Sequence, residues 1–241
     1  MTRRGVAESR ERAQRLIMAG RVRVDSRTAY KADLRVSAEA EIVLVGGPRE
    51  YASRGAYKLS AALDAFAIEV DGRDAVDIGA SNGGFTDVLL RRGVARVIAI
   101  DVGYGQLASN LRGDTRVSVM DRTNIRFVKS KDLPYRPDLA VIDVSFISLR
   151  LVIPVLVEIS APSAEIIALI KPQFEVGRGL TGKGGVVRDE ELRARTVAEI
   201  VEFATKLNLV CGGTISSPIT GAAGNQEYLA WFRKSQNLAT E

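Results

Sequence analysis

Four residues able to hold or move a proton stand beside predicted strands. The apolar run 166–170 is typical of a buried strand, yet it finishes on Lys171. Lys171 either reaches solvent, as a lone strand-end lysine often does, or enters a site at the carboxyl edge of a sheet, where α/β proteins bind ligands. Asp143 ends another such run, Lys58 precedes the first strand of the region, and Glu227 begins the last one. All four could converge at that edge, as a proton-transfer site requires.

A second group of residues predicts a cofactor site. The segment "DAVDIGASNGGFTDVLL" follows a strand and opens a helix, and its small residues let a ligand approach the backbone. It is not G-x-G-x-x-G, so it suits a cofactor without a pyrophosphate. Asp77 would hold a ligand ammonium group directly or through water, Asp101 would take ribose hydroxyls, and Asp121 would face the adenine.

Together these features predict S-adenosylmethionine as the cofactor. A nicotinamide dinucleotide is the alternative ligand, and a tight turn that binds nothing is the other interpretation. The predicted cofactor contacts are Asp77, Gly79, Ala80, Ser81, Gly83, Gly84, Phe85, Asp101, Val102, Asp121 and Asp143.

The elements that must position these residues alternate along the chain. Strands are predicted at 75–78, 96–101, 117–121, 139–143 and 165–171, with helices near 52–66, 85–92, 106–111, 149–159 and 190–207. Such alternation implies a parallel sheet covered on both faces. The last two strands, 209–216 and 228–233, are joined by a loop and should pair antiparallel. This outline is that of an α/β, Rossmann-like class I methyltransferase with a seven-stranded, mostly parallel sheet.

Composition excludes several classes of protein. The 241 residues include no histidine and a single cysteine, Cys211. Histidine-based catalysis, disulfide frameworks, cysteine metal clusters and most zinc sites are therefore excluded, and no metal is expected. No apolar run approaches the ~20 residues of a transmembrane helix, and no signal peptide precedes the first arginines. We expect a reduced, cytoplasmic, soluble protein.

The positive charge is concentrated at the N-terminus. Residues 1–55 carry 12 of the 34 basic side chains and 7 of the 29 acidic ones, which accounts for the whole net charge of +5. Either this is a solvated basic face or it contacts a polyanion, which arginine forks suit. Ser9 is predicted to cap a helix that Gly20 ends, and strands follow in "RVRVD" and "EIVLV". We predict a small α+β domain at 1–47, a linker at 48–55 and the methyltransferase domain at 56–241.

The motifs at the predicted site resemble those of known RNA methyltransferases. The fourth strand ends "VIDVSF" rather than in the Asn/Asp-Pro-Pro-aromatic turn of amino-group methyltransferases, and Cys211 is badly placed for base C5 methylation. Lys58, Asp143, Lys171 and Glu227 match the Lys-Asp-Lys-Glu tetrad of the FtsJ-type ribose 2′-O-methyltransferases. Over residues 5–233, "SRGAYKL", "DIGASNGGFTDVLL", "DVGYGQL", "DVSFISL", "IKPQFEVG", "KGGVVRD" and "GNQEYL" resemble the TlyA family.

The resemblance implies both a reaction and a partner. Members of this family, also labelled hemolysins, act as ribosomal-RNA cytidine 2′-O-methyltransferases and carry an N-terminal S4 RNA-binding domain. Ribosomal RNA or ribosomal subunits are therefore the expected partners, and the S4-like module here is expected to lack its first helix. The resemblance to that module makes its arginines the expected RNA contacts: Arg4, Arg10, Arg12, Arg15, Arg21 and Arg23.

The role of each tetrad residue stays open at this point. Lys171 would be the base, which requires it to lose its proton through burial beside Lys58, or it would stay charged and orient the hydroxyl. Asp143 would hold Lys171, and Glu227 would hold Lys58 or the ribose. The glycine-rich segment 175–187, with Arg178 and Lys183, is either a plain connection or a lid that contacts RNA.

Two other function classes compete with the enzyme. The first is a membrane-active, hemolysin-like protein, which the absence of a spanning segment disfavours. The second is a regulator that binds RNA and cofactor without turnover, which the intact tetrad disfavours.

Overall fold

The chain forms two compact units, Met1–Tyr51 and Ala52–Glu241. The computed structural model describes residues 1–7, 9–18, 21–25, 27–29, 32–34, 36–37, 39–44, 51–177, 179–221 and 223–235, and of residues 15, 18, 27 and 28 it describes the backbone alone. The predicted linker, 48–55, falls partly outside these ranges and stays a prediction, as does the expected lack of a first helix.

The N-terminal unit is a helix on a small antiparallel sheet. A 3₁₀ turn at Thr2–Arg4 precedes α1 (Arg10–Met18), and the strands are β1 (Val22–Val24), β2 (Arg27–Thr28) and β3 (Ile42–Leu44), in the order β2-β1-β3. Ser9 Oγ accepts a hydrogen bond from Arg12 N at 3.1 Å, so the predicted cap is confirmed. The predicted helix end at Gly20 lies outside the described residues. The two-residue β2 is too short to show a periodic pattern and was not predicted.

The second unit follows the predicted alternation of strands and helices. Its strands are β4 (Asp74–Ile78), β5 (Arg96–Ile100), β6 (Val117–Met120), β7 (Leu139–Ile142), β8 (Glu165–Ile170), β9 (Leu209–Ser216) and β10 (Tyr228–Lys234). Its α-helices are α2 (Ala56–Ala65), α3 (Gly84–Arg91), α4 (Ser109–Arg112), α5 (Ile153–Ile159), α6 (Pro172–Glu175) and α7 (Glu190–Lys206). Short 3₁₀ turns lie at Ile125–Phe127, Ser130–Asp132, Leu149–Leu151 and Lys183–Gly185.

Within the described residues these strands form one seven-stranded sheet in the order β6-β5-β4-β7-β8-β10-β9. The first five strands in this order pair parallel, and β10 lies antiparallel between β8 and β9. The predicted fold class is confirmed. The central strands β7 and β8 are buried on both faces, as parallel strands covered by helices must be.

Three predicted helices are shorter than expected. The helix predicted at 52–66 begins only at Ala56, after a turn at residues 53–55. Between β5 and α4, carboxylates bind the backbone N–H groups of Gly103 and Gly105 and hold residues 103–106 in a turn, so the helix begins only at Ser109. The predicted helix 149–159 divides into the 3₁₀ turn and α5. Pro154 stands in the first turn of α5 and has no N–H to continue a hydrogen-bond ladder from the preceding turn.

Strand register brings the predicted site residues together. Ile78 of β4 pairs with Ile142 of β7, so the backbone of Gly79 and that of Asp143 leave the sheet side by side. Tyr228 of β10 pairs antiparallel with Ile170 of β8. Glu227, just before Tyr228, is therefore placed next to Lys171, just after Ile170. Residues far apart in the chain meet at one edge because the carboxyl ends of parallel strands share that edge.

Candidate active site

The four tetrad residues form two lysine–carboxylate pairs. Lys171 Nζ lies 2.5 Å from Asp143 Oδ1, and Lys58 Nζ lies 2.5 Å from Glu227 Oε2. The second pair is more enclosed, because the Glu227 side chain is 3% exposed and that of Asp143 is 22% exposed. The structure thus pairs Asp143 with Lys171 and Glu227 with Lys58, and both carboxylates keep their lysines in place.

Both pairs line one cavity of about 670 Å³, which we call the acceptor cavity. Lys58 reaches it from α2, Asp143 from the end of β7, Lys171 from the end of β8 and Glu227 from the start of β10. The other lining residues come from the segments around these strand ends, among them Ser53, Gly55, Ser145, Phe146, Gln173, Phe174, Thr181, Gly184, Gly185 and Asn225. The volume is large enough for one nucleoside, since ligand pockets of a few hundred cubic ångströms bind such molecules.

A second cavity of about 680 Å³, which we call the cofactor cavity, opens beside the first. Its lining includes Gly79, Ser81, Asp101, Val102, Gln106, Thr123, Asn124 and Asp143. The two cavities share Gly79, Ser81, Asp143, Ser145 and Phe146. The Asp143–Lys171 pair therefore stands at the wall between them, where a group bound in one cavity can reach a group bound in the other.

The turn between β4 and α3 is shaped by close backbone contacts. Gly79 has φ +83°, and a Cβ atom there would lie 2.5 Å from the carbonyl oxygen of Asp143. Asp101 Oδ2 accepts a hydrogen bond from Ser81 N at 2.8 Å, and its Oδ1 accepts one from Gly103 N at 2.7 Å. Asp101 thus organises two loops at the edge of the cofactor cavity.

The remaining residues of that predicted motif lie in different places. Ala80, Gly84 and Phe85 line the acceptor cavity rather than the cofactor cavity, and Val102 lines the cofactor cavity with its side chain 70% exposed. Gly83 packs against the side chains of Leu107 and Leu111. The sequence motif does not specify which cavity each of these residues lines, because that depends on the tertiary structure.

Asp77 lies beneath this turn and is fully buried. Thr86 Oγ1 donates to Asp77 Oδ2 at 2.7 Å, while Oδ1 has no hydrogen-bond partner among the described residues. Burial raises the pKa of Asp77 to about 7; the Thr86 hydrogen bond opposes this rise and the nearby Asp143 charge adds to it. Asp77 is not among the described residues that line either cavity, so its predicted contact with a ligand ammonium group stays a prediction.

Asp121 is placed differently from the prediction. Its Oδ2 accepts hydrogen bonds from Arg112 Nη2 at 2.7 Å and from Gly105 N at 3.2 Å, and the Arg112 guanidinium lowers its pKa. It is not among the described residues that line the cofactor cavity. The carboxylate instead holds the turn that presents Gln106 to that cavity, so a direct contact with adenine stays a prediction without support from this geometry.

Several residues near the tetrad did not receive a role from sequence reasoning. Phe146 has φ +63°, rare for a bulky residue, and is 90% exposed with its ring centroid 5.0 Å from that of Phe174. Lys171 Nζ donates to Ser145 Oγ at 3.0 Å, and Gln173 Nε2 donates to Glu227 Oε1 at 3.4 Å. The motifs "DVSFISL" and "IKPQFEVG" contain all of them, but sequence spacing does not say which side chains face a cavity.

The glycine-rich segment 175–187 forms part of the acceptor cavity. Thr181, Gly184 and Gly185 line it. The buried Asn225 accepts from Val187 N at 2.9 Å and donates to the carbonyl oxygen of Gly185 at 3.0 Å, which fixes one end of the segment. Arg178 lies outside the described residues. A role as a lid that contacts RNA stays a prediction.

Two arginines near the cofactor cavity carry exposed aromatic partners. The guanidinium of Arg122 lies 4.3 Å from the ring centroid of Tyr104, and that of Arg126 lies 5.3 Å from that of Phe127. Tyr104 and Phe127 are both at least 70% exposed. Cations beside exposed aromatic rings are typical of surfaces that bind single-stranded nucleic acid.

The arginines predicted to contact RNA have varied surroundings in the N-terminal unit. Arg10 and Arg23 are exposed, and Arg12 and Arg21 are half-buried. Arg4 is exposed but donates to the carbonyl oxygen of Ala40 at 2.6 Å, so it also braces its own unit. The side chain of Arg15 lies outside the described residues.

Among the described residues, no helix combines the length and hydrophobicity that crossing a bilayer requires. The same residues contain no group of three or more histidine, cysteine, aspartate or glutamate side chains placed to hold a metal ion.

Comparison with known proteins gives consistent matches over both units. The family of FtsJ-like methyltransferases matches residues 51–234, and the S4 domain family matches residues 1–42. The 16S/23S rRNA (cytidine-2′-O)-methyltransferase TlyA of Mycobacterium tuberculosis is 50% identical over 240 residues, which cover 99% of this chain and 90% of that protein. Hemolysin A of Brachyspira hyodysenteriae is 38% identical over 233 residues, 95% of each chain. A solved structure described as a hemolysin from Streptococcus thermophilus superposes with a TM-score of 0.80 at 40% identity, covering 95% of this chain and 84% of that one.

Proposed function

Because this chain belongs to the TlyA family of FtsJ-like methyltransferases with an S4 domain, we propose that it methylates ribosomal RNA. The methyl group comes from S-adenosylmethionine, the acceptor is a ribose 2′-hydroxyl, and the target nucleoside is cytidine. The observation that carries the proposal is the Asp143–Lys171 pair at the wall shared by the two cavities.

The cofactor cavity fits S-adenosylmethionine at several points. Asp101 lines it and is placed for ribose hydroxyls. Asp77 is buried below the turn and outside the lining of the cavity, and its partnerless oxygen would take the ligand ammonium group through water. Gly79 and Asp143, whose backbones approach closely, line both cavities. When bound, S-adenosylmethionine supplies a methyl group on a positively charged sulfur, which is a good leaving centre.

The chain's own residues then act on the acceptor hydroxyl. The bound cofactor would supply the methyl carbon to the 2′-oxygen with its sulfur as the leaving group, and the hydroxyl proton would leave to water, because Lys171 as an ammonium group has no lone pair to accept it. Lys171 holds the 2′-oxygen in line for this displacement, and alignment of the reacting atoms supplies much of the rate. Asp143 holds Lys171, and the enclosed Lys58–Glu227 pair also lines the acceptor cavity.

The proposed RNA partner is supported by both units. The S4 match and the exposed Arg10 and Arg23 support phosphate contacts by the N-terminal unit. The exposed aromatic–arginine pairs at Tyr104 and Phe127 support contacts near the cofactor cavity. The name of the tuberculosis relative supports cytidine as the target.

The proposal is tested by methyl transfer to ribosomal subunits and to naked ribosomal RNA, followed by mapping of 2′-O-methyl positions. We expect label from methyl-tritiated S-adenosylmethionine at cytidine 2′-oxygens. Label confined to base atoms, or no transfer with either RNA form, would contradict the proposal.

The hemolysin names of two similar proteins motivate a second assay. The same purified chain should be added to dye-loaded liposomes. We expect no leakage at concentrations that give full methyl transfer, and leakage without transfer would favour the membrane-active alternative.

A further inference from the structure

We infer that Ser145 is a further positioning residue for methyl transfer, which holds the Lys171 amino group from a second side. The inference rests on the proposed function, because it assigns Ser145 a part in that reaction. Ser145 stands two residues after Asp143 in the turn that follows β7 and lines both cavities.

The contacts of Lys171 leave one N–H direction for a substrate. Its ammonium group carries three N–H bonds. Asp143 Oδ1 lies 2.5 Å from Nζ, and Ser145 Oγ accepts from Nζ at 3.0 Å. No third acceptor bonds this nitrogen in the part of the chain that the structure describes. The ammonium group thus has one hydrogen bond to Ser145 and an ion pair with Asp143, and its remaining N–H is left for the 2′-oxygen of the acceptor ribose.

A second hold is needed because lysine is flexible. Its ammonium is a point charge on a four-carbon stem, and one ion pair lets it swing around the carboxylate. Contacts with both Asp143 and Ser145, which lie on the same turn, restrict the position of Nζ more than the ion pair with Asp143 does alone. Asp143 alone would keep the charge near the wall between the cavities, and Ser145 determines where along that wall it stands.

The turn that carries Ser145 is itself braced. Glu175 Oε2 accepts from Ser148 Oγ at 2.6 Å, and Oε1 accepts from Leu149 N at 2.8 Å. The left-handed conformation of Phe146, next to Ser145, gives the turn its sharp bend. The Ser145 hydroxyl is therefore presented by a defined backbone. Ser145 is exposed, so core packing does not explain its position.

The test compares Ser145→Ala with Ser145→Thr, which keeps a hydroxyl. We expect Ser145→Ala to lower kcat about 10- to 100-fold, because misplacing a reacting group by about 1 Å costs that much. KM for the RNA and the dissociation constant of S-adenosylmethionine should stay within about twofold of wild type, since positioning acts on the transfer step alone. Ser145→Thr should recover most of the lost kcat.

Ser160→Ala is the matched control. Ser160 is a fully buried serine at the end of α5, and its Oγ has no partner among the described residues. It lines neither the acceptor nor the cofactor cavity as described. The control should transfer methyl groups at the wild-type rate, with melting temperatures of all variants measured beside it.

Three results would overturn the inference. A Ser145→Ala enzyme with wild-type kcat would show that the Ser145 hydroxyl accepts a hydrogen bond from Lys171 without affecting methyl transfer. Equal losses in the Ala and Thr variants would show that the hydroxyl is not the group that matters. Wild-type protein that binds S-adenosylmethionine but transfers no methyl to ribosomal RNA would overturn the proposed function and this inference together, whereas either of the first two results leaves the proposed function standing.

Discussion

At the scale of single residues, Lys171 and Lys58 have the same chemistry but different surroundings. Lys171 pairs with the partly exposed Asp143 at the wall between two cavities, and Lys58 pairs with the enclosed Glu227. The first pair can add a contact to a substrate, because Asp143 lines both cavities and Lys171 lines the acceptor cavity. The second is shielded from solvent and is suited to keeping the cavity in shape.

Lys171→Ala should abolish methyl transfer, with a loss of roughly 100-fold or more, as expected for a group that aligns the nucleophile. Lys171→Arg should fail as well, because guanidinium is larger, planar and always charged. Binding of S-adenosylmethionine, measured by calorimetry, should stay close to wild type in both. A Lys171→Ala protein that methylates ribosomal RNA at the native rate would return Lys171 to the interpretation of a strand-end lysine in water.

Asp77 predicts a pH dependence of stability. Burial raises the pKa of Asp77 from 3.8 to about 7, so between these values the folded protein holds a proton that the unfolded chain has lost. The contribution of Asp77 to stability therefore falls as pH rises through this window and levels off above about 7, by at most roughly 4 kcal/mol.

Asp77→Asn lacks this ionisation and retains similar shape. The free energy of unfolding of wild type minus that of Asp77→Asn, from urea titrations, should decrease between pH 4.5 and pH 7.5. A difference that is constant over this range would show that Asp77 is not titrating in the folded state as its burial implies.

At the scale of elements, the turn between β4 and α3 depends on a close approach that leaves no room for a side chain. A Cβ at Gly79 would lie 2.5 Å from the carbonyl oxygen of Asp143, at φ +83°. Gly72 has a similar φ of +70°, yet no atom lies within 4 Å of a Cβ placed there. A side chain at Gly72 would meet only the backbone strain of a positive φ, whereas one at Gly79 would meet that strain and a steric clash.

Gly72→Ala should cost about 1 kcal/mol of stability from the left-handed backbone alone. Gly79→Ala should cost clearly more, because the strand ends of β4 and β7 must also move apart, and it should weaken S-adenosylmethionine binding at least tenfold. Thermal unfolding and calorimetry on both variants check this. Equal stability losses in the two variants, with unchanged cofactor affinity, would mean that the ends of β4 and β7 move apart at little cost in free energy.

At the scale of the whole molecule, the positive charge of the N-terminal unit is expected to serve RNA affinity. Arginine–phosphate contacts release counterions, so RNA binding should weaken steeply with salt. Arg10→Ala with Arg23→Ala should lower affinity for RNA at all sequences and reduce the salt slope by about one for each phosphate that is no longer neutralised. Binding of S-adenosylmethionine should be unchanged.

Arg195→Ala with Lys206→Ala is a control of equal charge on the exposed face of α7. It should leave the salt slope close to wild type. If both double variants change the slope equally, net charge rather than the N-terminal surface controls RNA affinity. If neither changes it, the basic face is simply solvated.

The strand positions and the gathering of the four tetrad residues were predictable, because they follow from short sequence patterns. Apolar runs and the residues that end them located the strands of the methyltransferase unit to within one residue at most ends, and the connection of the last two strands predicted their antiparallel pairing. Asp143 and Lys171 follow parallel strands, Glu227 precedes an antiparallel strand and Lys58 lies on the helix before the first strand of the unit, and these positions predicted that the four would gather at one edge. These inferences hold because parallel strands send their carboxyl ends to the same side of a sheet.

Partner choice and burial were decided only by tertiary structure. The sequence left Glu227 free to hold Lys58 or the ribose. The strand register places Glu227 beside Lys171, yet its carboxylate pairs with Lys58, which α2 brings to the same enclosed site. Asp121 resembled a cofactor ligand by position, but Arg112 nine residues earlier turned it toward the 103–106 turn. Ser145 had no signal of its own, because a serine becomes a positioning group only through the lysine that β8 delivers to it. Such contacts depend on register, turn geometry and neighbouring charges at distances of a few ångströms, which spacing along one chain does not specify.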